Sequence, residues 1–221
     1  MSIPSISGLR ARIAELSARY LDPQIASELD SAFEIQIDDI AAFRLLAHAE
    51  IEAFMEAVAI DRLKRLRKLV AAKNALEKFP WIYPIAAIVG KEIAFDCPLD
   101  ARRLESSLLS VIDEAEKVVS ANNGVKSASL LKLSVFCGFF VDQIDSTLAA
   151  DLSAFGKERG DVAHSSARRV RSINSPSTEK ANVERLLNAL DLHLKPLTAR
   201  SARSRGCGFS LRGRRYKASN V

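Results

Sequence analysis

IAAFRLLAHAEIEAFMEAV, residues 40–58, decides the fold. Ile40, Phe43, Ala47, Ile51, Phe54 and Val58 recur at intervals of 3, 4, 4, 3 and 4, which lays them along one stripe of an α-helix. No Gly or Pro interrupts the chain between Gln24 and Phe79, so the helix is predicted to run from about Asp39 to Leu76 with Asp38 as its N-cap. The small residues Ala49 and Ala53 beside the stripe predict a close approach by another helix. His48 stands among apolar residues and reads as a satisfied core histidine rather than a catalyst. Glu50 and Glu52 read as surface or supporting carboxylates, because no further cluster of acids or histidines stands at metal-ligand spacing.

On the N-terminal side, a shorter helix is expected around Ser7–Tyr20 or extending into 25–37. On the C-terminal side, FPWIYPIAAIVGKEIAFDCP (79–98) holds three prolines and a glycine and is expected to form an irregular insertion, with room for no more than a short strand or helix. Asp100 then caps a helix to about Val119, carried by Leu104, Leu108, Val111, Ala115 and Val118. Asn122-Asn123-Gly124 is a turn signal. Two further helices follow, near Ser129–Cys137 and from Ser146 onward. Ser175-Pro176 opens a last helix through Val183, Leu187, Leu190 and Leu194, which Pro196 is expected to close. The fold class is therefore all-α: a helical extension over 1–24, a helical domain over 25–197 and a basic, disordered tail over 198–221.

With 48% hydrophobic residues in 221, the chain can bury a substantial core, and its 9 glycines and 6% aromatics suit helices. The longest uncharged stretch, Phe79–Gly90, is 12 residues, against the roughly 20 that a membrane-spanning helix needs. The opening MSIPSISGLR lacks a charged segment followed by an apolar one, so no signal peptide is expected. Cys97, Cys137 and Cys207 are odd in number and lack metal-ligand spacing, as befits thiols of a reducing cytosol. The net charge of +5 is unevenly placed: eight basic residues and no acid lie between Leu192 and the end, which leaves the preceding residues at −3. Basicity belongs to the tail and not to the body. The run Asp61-Arg62-Leu63-Lys64-Arg65-Leu66-Arg67-Lys68 carries leucines at helical spacing and reads as a solvated helix face.

The chemistry-bearing stretch is FGKERGDVAHSS, residues 155–166. Gly156 and Gly160 bracket Arg159, which predicts a helix that ends or restarts there, with the arginine at a helix N-terminus. Arg is permanently charged and grips phosphate bidentately, His164 can exchange protons near neutrality, and Asp161 and Ser165 flank them with polar atoms. Helix N-terminal amides would add to an anion site. That is the set phosphodiester transfer requires. A purely structural Arg–His pair at a helix end is the competing reading.

RGDVAH, Arg159 to His164, resembles the R-x4-6-H motif of HEPN domains. LLAHAEIEAF (45–54) resembles the second helix of those proteins, and NGVKSASLLKLSVFCGF (123–139) resembles the segment before the motif helix in stand-alone bacterial members. The three blocks stand in order and cover most of residues 25–195. The resemblance implies a helical bundle that dimerises so that the motifs of both subunits line one cleft. It implies a metal-independent endoribonuclease without cofactor, in which His164 assists attack of a ribose 2′-hydroxyl and Arg159 holds the phosphate. Where the family often has Asn, Asp or His after the arginine, this chain has Gly160, so the role of Asp161, one position later, is not fixed by the likeness.

Besides the catalytic set Arg159, His164 and Asp161, candidate RNA contacts are Ser165, Arg168 and Arg169 after the motif and Arg203, Arg205, Arg212, Arg214 and Arg215 in the tail. The leading expectation is a cytoplasmic ribonuclease of toxin or defence type, acting on RNA and paired with itself, with an antitoxin or defence protein as a further candidate partner. The alternatives are a non-catalytic module that binds RNA or protein through the same cleft, and a helical scaffold.

Overall fold

The computed structural model describes residues 4–30, 32–72, 75–93, 100–164 and 173–203. Every regular element among them is helical: α1 (Ile6–Tyr20), α2 (Asp22–Ile25), α3 (Ile37–Ala71), α4 (Ala75–Val89), α5 (Ala101–Ser120), α6 (Ser127–Phe136), α7 (Ser146–His164) and α8 (Pro176–Arg203). None of these helices is long and apolar enough to cross a membrane.

α3 is the axis of the bundle and touches α1, α4, α5, α6, α7 and α8. Its buried stripe is the expected one, with Ile40, Phe43, Ala47 and Ile51 fully enclosed, though Met55 is buried where Phe54 is only half so. Ala49 and Ala53 do not receive a helix. They lie two positions after Ala47 and Ile51, about 200° round the helix from the stripe, and are exposed. Leu9, Ile13 and Leu16 of α1 enter the same continuous core as α3. The Ser5 hydroxyl caps α1 by accepting from Gly8 N at 3.1 Å, and the Asp100 carboxylate caps α5 through Arg102 N and Arg103 N.

The basic run of α3 is spent on packing. Arg65 pairs with Asp61 at 2.8 Å, Arg67 reaches Asp113 and Glu116 of α5 at 2.6 and 3.1 Å, and Arg62 donates to the Leu197 carbonyl of α8 at 2.8 Å.

Three expectations drawn from Pro and Gly are overturned. The segment expected to be irregular from residue 79 is helical to Val89, with Pro80 and Pro84 inside α4; Ala94–Asp96, Cys97, Pro98 and Leu99 lie outside the described residues. Each internal proline forfeits a backbone bond, but Ile82, Ile85 and Ala86 are buried and α4 packs along α5, which outweighs the local cost. α4 ends instead at Gly90, where φ of +66° suits glycine and Lys91 N donates back to Ala86 O. Pro196 likewise does not close α8, because Leu194 and Leu197 on either side of it are buried and the helix continues to Arg203. The expected disordered tail therefore begins with helix; residues 204–221 lie outside the described part. Gly156 and Gly160 do not break α7, which runs unbroken to His164. A helix-interior glycine costs only about 1 kcal/mol relative to alanine, and Leu148, Leu152, Phe155 and Val162 pin α7 on both sides of the pair.

Candidate functional site

α7 carries Arg159, Asp161 and His164 in its last two turns. Because the helix is continuous, no helix N-terminus stands at Arg159, and the amide anion site expected there is not formed. At about 100° per residue, positions 159 and 164 lie roughly 140° apart round the helix, while 161 and 164 share a face. Asp161 is exposed. Arg159 is half-buried, and its Nε is enclosed without a hydrogen-bond partner among the described residues. The side chain of His164, and that of Arg203 at the end of α8, are outside the described atoms. So are the further RNA-contact candidates Ser165, Arg168, Arg169, Arg205, Arg212, Arg214 and Arg215, and the thiols Cys97 and Cys207. Cys137 is buried and free, and burial pushes its thiol up to about 12, so it is unreactive.

What stands behind Arg159 was not anticipated. α3 carries a polar row spaced by four, of which Arg44 and His48 meet α7 and α8 while Glu52 and Glu56 meet the α5–α6 turn. Arg44 is 0% exposed and donates from Nε and Nη2 to the two oxygens of Glu179, both at 2.7 Å. Glu158 lies 3.7 Å from Arg44, and Asn174 donates to Glu179 at 3.1 Å. Burial presses the Arg44 pKa down, but Glu179, Glu158 and Asp161 outweigh it, and the guanidinium is held more firmly charged than usual. Burial raises the Glu158 carboxyl above its ordinary value against the pull of Arg44.

His48, one turn along, is 1% exposed. Its ring lies 5.6 Å from that of Phe155 and tilted 34° to it. Two glycines border it: a Cβ at Gly156 would stand 3.6 Å from Nε2 and one at Gly124 would stand 3.9 Å from Cε1, both ordinary contacts. Nδ1 lies 3.7 Å from Glu52 Oε2 but has no hydrogen-bond partner. Glu52 is itself held by the α5–α6 turn, where Gly124 N and Asn122 Nδ2 donate to its other oxygen and Gly124 takes φ of +96°. Burial pushes the His48 pKa below its ordinary value; Glu52 opposes this and the Arg159 charge adds to it. His48 is thus buried in the core, as expected, but it is not the satisfied histidine that was expected, since Nδ1 lacks a hydrogen-bond partner among the described residues and the ring feels the Arg159 charge. The period-four row of polar residues in α3 was the signal that could have found it.

His193, expected near a helix end, lies ten residues inside α8, and is a satisfied group: Nε2 is 3.1 Å from Ser134 Oγ and the ring stacks on Phe139 at 4.4 Å. Glu50 is engaged by Arg12 at 2.9 Å. Among the described residues no group of three or more His, Cys, Asp and Glu stands where it could hold a metal ion. Chemically, the arrangement offers one partly accessible guanidinium, backed by a buried neutral imidazole and flanked by carboxylates. Compared with protein-family models, with curated proteins and with solved structures, the chain matches none.

Proposed function

We propose that the chain is a metal-independent endoribonuclease of the HEPN type, acting in the cytoplasm as a toxin or defence effector. The observation that supports this best is Arg159: half-buried on a helix pinned into an all-α bundle, with an Nε that no hydrogen-bond partner engages among the described residues. An arginine so held is suited to receive an anion, and a backbone phosphate offers two oxygens to its planar fork. In the reaction the 2′-oxygen forms a bond to phosphorus as the bond to the 5′-oxygen breaks. His164 takes the 2′-hydroxyl proton, the departing 5′-oxygen gains one, and the products are a cyclic phosphate and a 5′-hydroxyl.

The 140° between positions 159 and 164 favours a two-fold dimer, in which one subunit's arginine and the other's histidine share a cleft. The same separation supports the second reading, a module that binds RNA or a partner protein, such as an antitoxin, through Arg159 without cutting.

Incubating the purified chain with single-stranded and transfer RNA in excess EDTA, with end-group analysis and light scattering on the same sample, tests the proposal. Cyclic-phosphate and 5′-hydroxyl ends from a dimer are the expected result. Binding without cleavage selects the second reading. Cleavage that is lost on chelation and restored by one metal refutes the mechanism.

A further inference from the structure

A helical side chain covers the turn N-terminal to its own Cα, so Arg159 lies over the turn that holds Gly156, three residues back. At Gly156 no Cβ intervenes, and the first side-chain atoms met from that position are His48 Nε2 and Lys126 Cγ, each 3.6 Å from where the Cβ would be. On the far side of the imidazole, Glu52 stands 3.7 Å from Nδ1. If the single proton of the neutral ring sits on Nδ1, toward that carboxylate, the lone pair of Nε2 faces α7. Among the described residues, His48 Nδ1 on α3 and Arg159 Nε on α7 are both enclosed and without a hydrogen-bond partner.

We propose that His48 is a positioning residue for Arg159: the neutral imidazole, presented to α7 across Gly156 and backed by Glu52, fixes the course of the guanidinium side chain. This rests on the reading of Arg159 as the phosphate-binding group, and it adds a residue outside the motif to that site. Protonation would turn the ring into a like charge beside Arg159 and displace it. The charged groups facing the ring are Glu52 from α3 and Arg159 from α7, with Lys126 after the α5–α6 turn and Glu56 joined to that turn through Asn122. Burial and Arg159 both disfavour the charged ring, which keeps it neutral in the folded protein at physiological pH.

The test has one arm that needs no RNA. Histidine ring nitrogens of the full chain are followed by NMR through a pH titration, with His48 assigned by substitution. In Arg159→Gln the His48 titration is expected to move to higher pH, because a neighbouring cation has gone. An unchanged titration overturns the inference even if the wild type cuts RNA. If the wild type neither cuts nor binds RNA, the functional reading fails and this arm still decides whether the two residues are coupled.

The second arm uses Gly156→Ala, whose added methyl would make ordinary contact with Nε2 at 3.6 Å, on the α7 turn over which Arg159 lies. It is expected to keep the melting temperature and lose about 10–100-fold in cleavage rate, the scale of a small misplacement of a catalytic group. Undiminished activity overturns the inference. A third comparison remains informative if Gly156→Ala folds poorly. His48→Gln carries its amide near the place of Nε2 and is expected to retain more activity than His48→Asn, whose amide stands near Nδ1; equal or reversed retention overturns the proposal.

Discussion

Two buried histidines stand in this molecule under nearly the same physical conditions, and they differ in one respect. His48 on α3 and His193 on α8 are both enclosed, both lie against a phenylalanine ring, and both have their pKa lowered chiefly by burial. His193 is completed by the Ser134 hydroxyl, and the charge acting on it is the carboxylate of Asp145. His48 has an enclosed nitrogen with no partner and an arginine beside it. Burial alone therefore does not distinguish a packing histidine from one with other work. The partner inventory does, because an unsatisfied buried polar atom is retained against a cost of about 1–3 kcal/mol.

The largest expected effect is on cleavage. Arg159→Ala is expected to lower the rate by ~10²–10⁴-fold with unchanged helicity by circular dichroism, while His193→Gln leaves the rate at the wild-type value. A His193 variant as inactive as the Arg159 variant would erase the distinction between the two regions. Next comes stability under the His48 side of the bundle. Arg44→Ala strips the buried Glu179 carboxylate of its main partner and should cost about 3–5 kcal/mol in urea unfolding, far more than a surface pair. A cost below 1 kcal/mol would show that Glu179 finds other partners.

These two regions were unequally legible in the sequence. The helices announced themselves through periodicity and caps: the stripe from Ile40 to Val58, Asp100 before α5, Ser175-Pro176 before α8. Punctuation by Pro and Gly was misleading wherever tertiary burial outweighed it, at Pro80, Pro84, Pro196 and Gly156. Arg159, Asp161 and His164 could be picked out because they sit close together in one stretch. His48 could not be tied to them, since the contact spans from α3 to α7, and Arg44–Glu179 joins residues 135 apart. No local pattern encodes such pairs.

Smaller effects sharpen the contrast further. His193→Ala leaves the buried Ser134 hydroxyl without its partner and removes a stacked ring, and should cost about 1–3 kcal/mol by chemical denaturation at pH 8. His48→Gln, which gives up no hydrogen bond at Nδ1, should cost less than that at the same pH; an equal or greater cost would mean that the ring's packing, and not its partners, dominates. The smallest effect is in the pH dependence. Both rings have folded-state pKa values below the unfolded value of about 6.5, so the unfolded chain binds protons first as pH falls. Stability is then full above about pH 6.5 and declines below it, by at most ~1.4 kcal/mol per pH unit for each histidine until its folded-state pKa is reached. Replacing either ring with glutamine should flatten that decline by its own share, and a slope unchanged in both variants would locate the acid sensitivity elsewhere.

The Arg44–Glu179 pair also bears on the order in which the chain becomes a protein. Arg44 emerges from the ribosome with α3, while its partner is made 135 residues later. At about 5–20 residues per second that is a wait of roughly 7 to 27 s. Throughout that interval the central helix carries a cation at the position that the finished bundle encloses completely, and enclosing it before its bidentate partner exists is unfavourable. Enclosure of Arg44 is therefore expected to be completed only once the start of α8 is made, and a chain truncated before Glu179 should be cut faster by protease than the full chain.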